Sequence, residues 1–432
     1  MENSNGQGSK VSRRDFLKTS AVAAGAVAAG LALPRAYAQS SDKIKVGLIG
    51  CGGRGSDALN QCVSTSENVI VYALGDLFED RMKGNFNRWK DKKDKADIVP
   101  DRCFVGFDAY KKVVDSGVDM VILATPPGFR PDHLAYAIEK GKHVFMEKPV
   151  AVDPAGIRKV IAASQQAKEK KLAIVAGTQR RHEAVYLATM KAIQDGTIGE
   201  MVGGQCYWNQ GFLWVNDRKE GQDDMTWQCR NWLYFTWLSG DHIVEQHVHN
   251  IDVINWAFGG PPTKAYGMGG REVRKGDRHG NIFDHHAIEF TYPNGAKVLS
   301  MCRQIKGCAD RVTEYFVGTR GRGHAGQLYD HGGKEIWKFE GGGRNPYEQE
   351  HIDLIASIRK GEPLNEGVRI AESTLTAILG RMSTYSGREL SFDWALKNSK
   401  LDLVPKDPKF GDLPVRPVPI PGDKDSWKVW CY

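Results

Sequence analysis

The densest chemistry in the chain lies in two short runs, Gly50-Cys51-Gly52-Gly53-Arg54-Gly55 and Glu147-Lys148-Pro149. In the first, Gly50 permits a tight turn, Gly52 lets the backbone approach a pyrophosphate, and Gly55 lets the next helix pack against the preceding strand. The helix N-terminus that follows faces the phosphates. The second run sets a lysine directly after an apolar strand. An ammonium in that position hydrogen-bonds a carbinol oxygen and stabilises charge as a hydride leaves. A solvated lysine is the plainer reading of Lys148 taken alone, and its place after the glycine fingerprint argues against it. Asp76, about 20 residues past the glycines, is placed to accept both ribose hydroxyls, which favours NAD over NADP. Capping the helix that begins near Phe78 is its alternative role.

These groups need a framework of strands. Lys43 to Ile49, Val69 to Leu74, Met120 to Ala124, His143 to Met146 and Ala173 to Ala176 are compact apolar runs, with an amphipathic stretch from Pro131 to Lys140 between the third and fourth. The alternation predicts an α/β fold with a doubly wound parallel sheet, the Rossmann arrangement. Its carboxyl edge, where ligands bind in such sheets, receives Thr125, Pro126, Glu147 and Lys148. The expected cofactor contacts are therefore Gly50, Cys51, Gly52, Gly53, Arg54, Gly55, Asp76, Thr125, Pro126, Glu147 and Lys148.

The N-terminus reads as a twin-arginine leader. Ser12-Arg13-Arg14-Asp15-Phe16-Leu17-Lys18 precedes an uncharged run from Ser20 to Leu33 and an Ala36-Tyr37-Ala38 cleavage pattern. The run is too short to span a bilayer, so a cleaved signal and periplasmic export by the twin-arginine machinery are expected, with no membrane anchor afterwards. Removing residues 1–38 takes away five basic and two acidic residues and lowers the formal charge from +7 to +4. The mature chain has no basic stripe with interleaved aromatics, which argues against a nucleic-acid partner. Its length of nearly 400 residues suggests two domains. Eight cysteines form no CxxC pair, and only Cys302 with Cys308 suggests a disulfide. Outside the cytoplasm no NAD pool exists to exchange with, so a hydride-transfer protein must carry its cofactor out tightly bound.

With Gly50 to Gly55, Asp76 and Glu147-Lys148-Pro149 in order, the chain resembles the glucose-fructose oxidoreductase, inositol dehydrogenase and rhizopine catabolism family over nearly its whole mature length. The resemblance implies a C-terminal α/β domain with an open, mostly antiparallel sheet, a sugar, polyol or glycoside substrate, and a homo-oligomer, dimer or tetramer. The expected division is a leader at 1–38, an NAD-binding domain at 39–176, a substrate and oligomerisation domain at 177–404 and a proline-rich arm at 405–432. In the family pattern, the lysine works with an acid and a histidine four residues apart on one helix. Counting back from Asp252 through Gly240 to Asp252 matches the histidine to His249 and the acid, more often aspartate, to Glu245. The implied catalytic set is Lys148, His249 as general acid/base, and Glu245, with Asp241 and His247 as a fallback pair.

His242, His247 and His249, with His285 and His286, invite a metal reading. Their spacing does not converge on one helix face as HExxH does, so no metal is expected. Trp208 and the aromatics through Trp237 suit sugar faces, although most belong to the core, and Trp208, Asn209, Arg180 and His247 are the candidate substrate contacts. Two closing helices are expected at Tyr347 to Gly361 and Glu366 to Tyr385.

Three functions fit these residues. A nicotinamide oxidoreductase oxidises one sugar or polyol and reduces a second acceptor. An NAD-dependent redox-neutral glycosidase oxidises, eliminates, hydrates and re-reduces. A non-catalytic, cofactor-bearing sugar-binding protein uses the same cleft without turnover.

Overall fold

The computed structural model describes residues 43–432, and the leader expected at 1–38 lies outside them. Six strands form the first sheet: β1 (Ile44–Ile49), β2 (Val69–Asp76), β3 (Cys103–Val105), β4 (Met120–Leu123), β5 (His143–Met146) and β6 (Ile174–Ala176). Their order is β3-β2-β1-β4-β5-β6, all parallel, which is a doubly wound nucleotide-binding sheet. The reason is legible in composition. β1, β2, β4 and β5 are runs of Val, Ile, Leu, Met and Phe buried on both faces, as a sheet covered by helices on each side demands.

Nine further strands make the second sheet: β7 (Met201–Gln210), β8 (Lys264–Gly270), β9 (His285–Thr291), β10 (Lys297–Gln304), β11 (Arg311–Gly318), β12 (Gly321–His324), β13 (Gln327–Asp330), β14 (Glu335–Lys338) and β15 (Leu390–Ser391). The order is β14-β13-β12-β11-β7-β10-β9-β8-β15, antiparallel except where β7 and β10 run parallel. β8 and β10 alternate exposed and buried residues, so only one face is covered. The helices Val248–Phe258 and Gly367–Ser386 cover it, and the latter is almost entirely buried. Tyr266, Met268 and Leu299 stand on the open face.

The linear division into domains is crossed in two places. The helix Pro346–Lys360 returns to the first sheet, where its Leu354, Ile355 and Ile358 join the core containing Val46, Leu48, Ile122 and Phe145. The proline-rich arm lies on its own chain, with Gln228 Nε2 donating to the Leu413 carbonyl at 2.5 Å and Phe410 packed 5.1 Å from Phe107 of the first lobe. All eight cysteines are free thiols, Cys302 buried and Cys308 exposed. Among the described residues, no helix is long and apolar enough to cross a membrane.

Where the chain leaves β6, the turn Gln179–His182 is fastened by charge. Arg181 pairs with buried Asp252 at 2.8 Å, joined by Arg369 at 3.2 Å, and the two guanidiniums outweigh burial to hold Asp252 far below the carboxylate range. Burial alone lowers the His182 imidazole, but Asp353 at 2.6 Å and Glu366 at 3.6 Å outweigh it and raise the pKa to about 9. Because the folded value lies above the ordinary 6.5, this stabilisation is complete below pH 6.5 and is lost as pH rises through 9. Thermal unfolding of His182→Gln should show a loss of roughly 1–3 kcal/mol at pH 6 that shrinks toward alkaline pH. A deficit constant across that range would contradict the pairing.

Candidate functional site

The glycine turn leaves β1 and enters the helix Gly53–Thr65. Gly50 has φ of +101°, and a Cβ there would lie 2.5 Å from the Ala124 carbonyl carbon. At Gly55 a Cβ would lie 1.9 Å from the Gly50 oxygen, so both positions exclude a side chain, whereas the space at Gly53 is open. Gly52 caps the helix without a side-chain hydrogen bond, leaving the first-turn N–H groups for an anion. A cavity of about 720 Å³ opens here, lined by the turn, Asp76, Thr125 and Pro126. The residues present thus fit a dinucleotide. Asp76 does not cap by choice of one role: Oδ1 accepts the Phe78 N–H at 2.8 Å and Oδ2 the Cys51 N–H at 2.6 Å, which fixes the carboxylate at the cavity wall with lone pairs to spare. Arg54 leaves the turn to bond Glu147 through Nε at 2.6 Å, coupling the two sequence runs.

Lys148 extends from the end of β5 to the second lobe, where Nζ donates to both the carbonyl and, at 3.0 Å, the Oε1 of Glu245. The single helix expected to carry Glu245 and His249 is broken: one short helix spans His242–Glu245, and the next begins at Val248. The backbone hydrogen bonds change at the break. In a continuous helix the His249 N–H would donate to the Glu245 carbonyl. Lys148 takes that carbonyl, and the His249 N–H turns to the Gln246 oxygen at 3.4 Å. Gln246 Nε2 donates to the other Glu245 carboxylate oxygen. Further anchorage comes from Arg381, whose Nη1 donates to Val152 of the first lobe at 2.7 Å and to the Gly240 carbonyl at 3.0 Å.

His249 is buried, its ring stacked 5.7 Å from Trp208 at 24°. Burial first, then the Lys148 and Arg180 cations, push its pKa well below the histidine range, so the ring is neutral. Its Nδ1 and the Trp208 Nε1 are buried without hydrogen-bond partners. Arg180 lies 5.9 Å over the Trp208 ring and pairs with buried Glu314 at 2.5 Å. Asn209, next along β7, is buried at 9% exposure.

Two expectations need correction. His247 is not presented to the cleft; it is wholly buried, with Nε2 2.8 Å from the Ser300 hydroxyl on β10. The fallback pair of Asp241 and His247 fails with it, because Asp241 is also wholly buried and accepts from the Phe283 N–H at 2.9 Å and the Tyr385 hydroxyl at 2.5 Å. Nor do His242, His247 and His249 converge. Asp241, His242 and His286 do, with ligand atoms within 4.8 Å, but Asp241 Oδ2 is taken by those two donors, Oδ1 accepts the His242 N–H, and the Arg274 guanidinium lies 3.5 Å from His242 Nδ1. A cation beside an already satisfied carboxylate marks a structural network.

Sequence reasoning missed Glu314, which orients Arg180, Tyr186 and Asn250 at once. Its only signal was an acid on the buried side of an alternating strand. Arg230 pairs with Asp80 across the lobes.

The pattern described as "Oxidoreductase family, NAD-binding Rossmann fold" matches residues 44–177, the "GFO/IDH/MocA C-terminal domain" matches 186–323, and a twin-arginine translocation signal matches 10–30, which marks the chain for twin-arginine export. Inositol 2-dehydrogenase of Salmonella typhimurium is 30% identical over 219 residues, covering 49% of this chain and 54% of that one. The chain thus spans about half the length of that relative. Myo-inositol 2-dehydrogenase of Thermotoga maritima is 21% identical, covering 74% of this chain and 90% of its own. Among solved structures, scyllo-inositol dehydrogenase from Lactobacillus casei with bound NAD(H) and scyllo-inositol superposes with a TM-score of 0.62 at 16% identity, over 82% of this chain and all of that one. The glycine turn, the parallel sheet and the matched N- and C-terminal patterns together place the chain in the Gfo/Idh/MocA family of NAD-binding oxidoreductases.

Proposed function

We propose that the protein is a periplasmic oxidoreductase that transfers hydride between a tightly bound NAD and a hydroxyl of a polyol or sugar, with Lys148, His249 and Glu245 as its catalytic set. The observation that carries this reading is the bridge from Lys148 to Glu245, which sets an ammonium of the nucleotide lobe beside a neutral, buried histidine of the second lobe. When bound, the nicotinamide supplies the hydride acceptor or donor. His249, neutral, accepts the hydroxyl proton. Lys148 donates a hydrogen bond to the same oxygen as its charge grows, and Glu245 holds the ammonium in place. Trp208 offers a flat face to a ring, and Arg180, fixed by Glu314, offers donors at its edge. The inositol dehydrogenases among the relatives support a cyclic polyol or sugar as substrate class. The fixed negative charge of Asp76 favours NAD, since it would repel a ribose 2′-phosphate. The apolar open face of the second sheet, with Met268 at 72% exposure, supports pairing with a second copy of the chain.

Single-turnover hydride transfer should fall on the order of 10²–10³-fold in Lys148→Met and about 10²–10⁴-fold in His249→Ala, with nicotinamide still bound. Full turnover in Lys148→Met would overturn the reading. The pH profile supplies a separate test. Lys148 lowers the His249 pKa, so its removal raises that value and moves the acid limb of the rate profile to higher pH. An acid limb that stays in place would remove His249 from the role of base. Light scattering of Met268→Lys should report a smaller species than wild type, and an unchanged mass would exclude that face as the contact.

A further inference from the structure

The cavity at the glycine turn has a second wall that none of the expected cofactor residues supplies. After β7 the chain runs through residues 211–223 into the helix Asp224–Arg230 and the turn Trp232–Tyr234. From this segment Trp214, Asn216 and Trp232 line the cavity together with Asp76, Phe78 and Arg81. The two indoles meet edge to face at 5.8 Å, and the Trp214 ring remains 44% exposed. The segment is braced internally, since Asn216 Nδ2 donates to the Arg230 carbonyl at 2.7 Å and its N–H donates to Asn231 at 2.9 Å.

Two fastenings hold this wall to the nucleotide lobe. Arg230 forms a two-pronged pair with Asp80, at 3.0 and 2.7 Å, while its guanidinium lies 3.9 Å over the Phe78 ring. The proline-rich arm forms the other. Gly411 and Leu413 N–H groups donate to Asp223 at 3.0 Å and Asp224 at 3.1 Å, and Phe410 packs 5.1 Å from Phe107, itself part of the cavity lining. The arm therefore straps the wall down from behind.

We propose that this wall is a clamp on the adenosine half of the dinucleotide, with Trp214 and Trp232 as its aromatic surface, and that the Arg230–Asp80 pair and the Phe410 strap keep the cofactor from exchanging between turnovers. The inference rests on the nicotinamide reading above and extends it. A dinucleotide running from the glycine turn to Asp76 places its adenosine end over the carboxyl edge of β2, beneath these indoles. Leaving that position requires the wall to lift, which breaks a two-pronged ion pair and separates Phe410 from Phe107.

The test uses mature protein loaded with NADH, freed of excess by gel filtration and then mixed with a large excess of NAD, the loss of nicotinamide fluorescence reporting exchange. Wild type is expected to exchange slowly. Trp214→Ala and Phe410→Ser should each speed the loss about tenfold. Arg230→Asp should speed it severalfold, because the pair it breaks is partly exposed, and Asp80→Arg in the same chain should restore slow exchange. Trypsin cleavage after Arg218 or Lys219 in the exposed part of the segment should be slowed by NADH in wild type and not in Trp214→Ala. Equal exchange rates in wild type and all variants, with NADH bound normally, would overturn the clamp alone. Failure of wild type to bind NADH under any condition would overturn the nicotinamide reading and the clamp together.

Discussion

The candidate site is organised around the carbonyl oxygen of Glu245, which accepts from Lys148 while the His249 N–H points to the Gln246 oxygen. The Lys148 contact joins the lobes where the short helix ends at Glu245, before the long one begins at Val248. Lys148 and Glu245 are 12% and 8% exposed, so neither charge is tolerable without the other. Loss of one member of such a pair typically costs about 3–5 kcal/mol, more than an equivalent surface pair contributes. The lysine is thereby held in a single position at the candidate site.

Around that point the structure repeats one device, a guanidinium fastened to fixed oxygen acceptors, within a lobe or between the two. Arg54 ties the glycine turn to Glu147, Arg381 ties Val152 to Gly240, and Arg181 and Arg369 close on Asp252. Each is directional in a way that apolar packing is not, so the cleft is set by several fixed distances. The same buried cations act on chemistry: Lys148 and Arg180 reinforce burial in keeping His249 uncharged.

The first lobe was legible because its signals are local. Five apolar strands and a glycine turn with fixed steric demands specify a parallel sheet and its phosphate edge, and the strands at 69, 120 and 143 begin at the residues expected. The pairing of Glu245 with His249 was legible as spacing but not as geometry, because the helix breaks between them, where Glu245 meets a lysine 97 residues away. His247 misled for a related reason: in the turn between the two helices, its direction toward Ser300 of β10 depends on a strand that sequence periodicity places on no particular side. Glu314 and Arg230 act only through partners distant in sequence, and the returning helix Pro346–Lys360 covers a sheet made some 200 residues earlier, which no window-based periodicity reveals.

The central claim, that a hydride passes between a resident nicotinamide and a polyol or sugar hydroxyl at Lys148 and His249, is tested most directly with the mature protein as purified and no added cofactor. Cyclic polyols, sugars and glycosides are added singly while nicotinamide fluorescence and released products are followed. The account predicts a lasting rise in fluorescence with a polyol or sugar, discharged by a second carbonyl compound. Free sugar accumulating from a glycoside with no lasting change in fluorescence would contradict it.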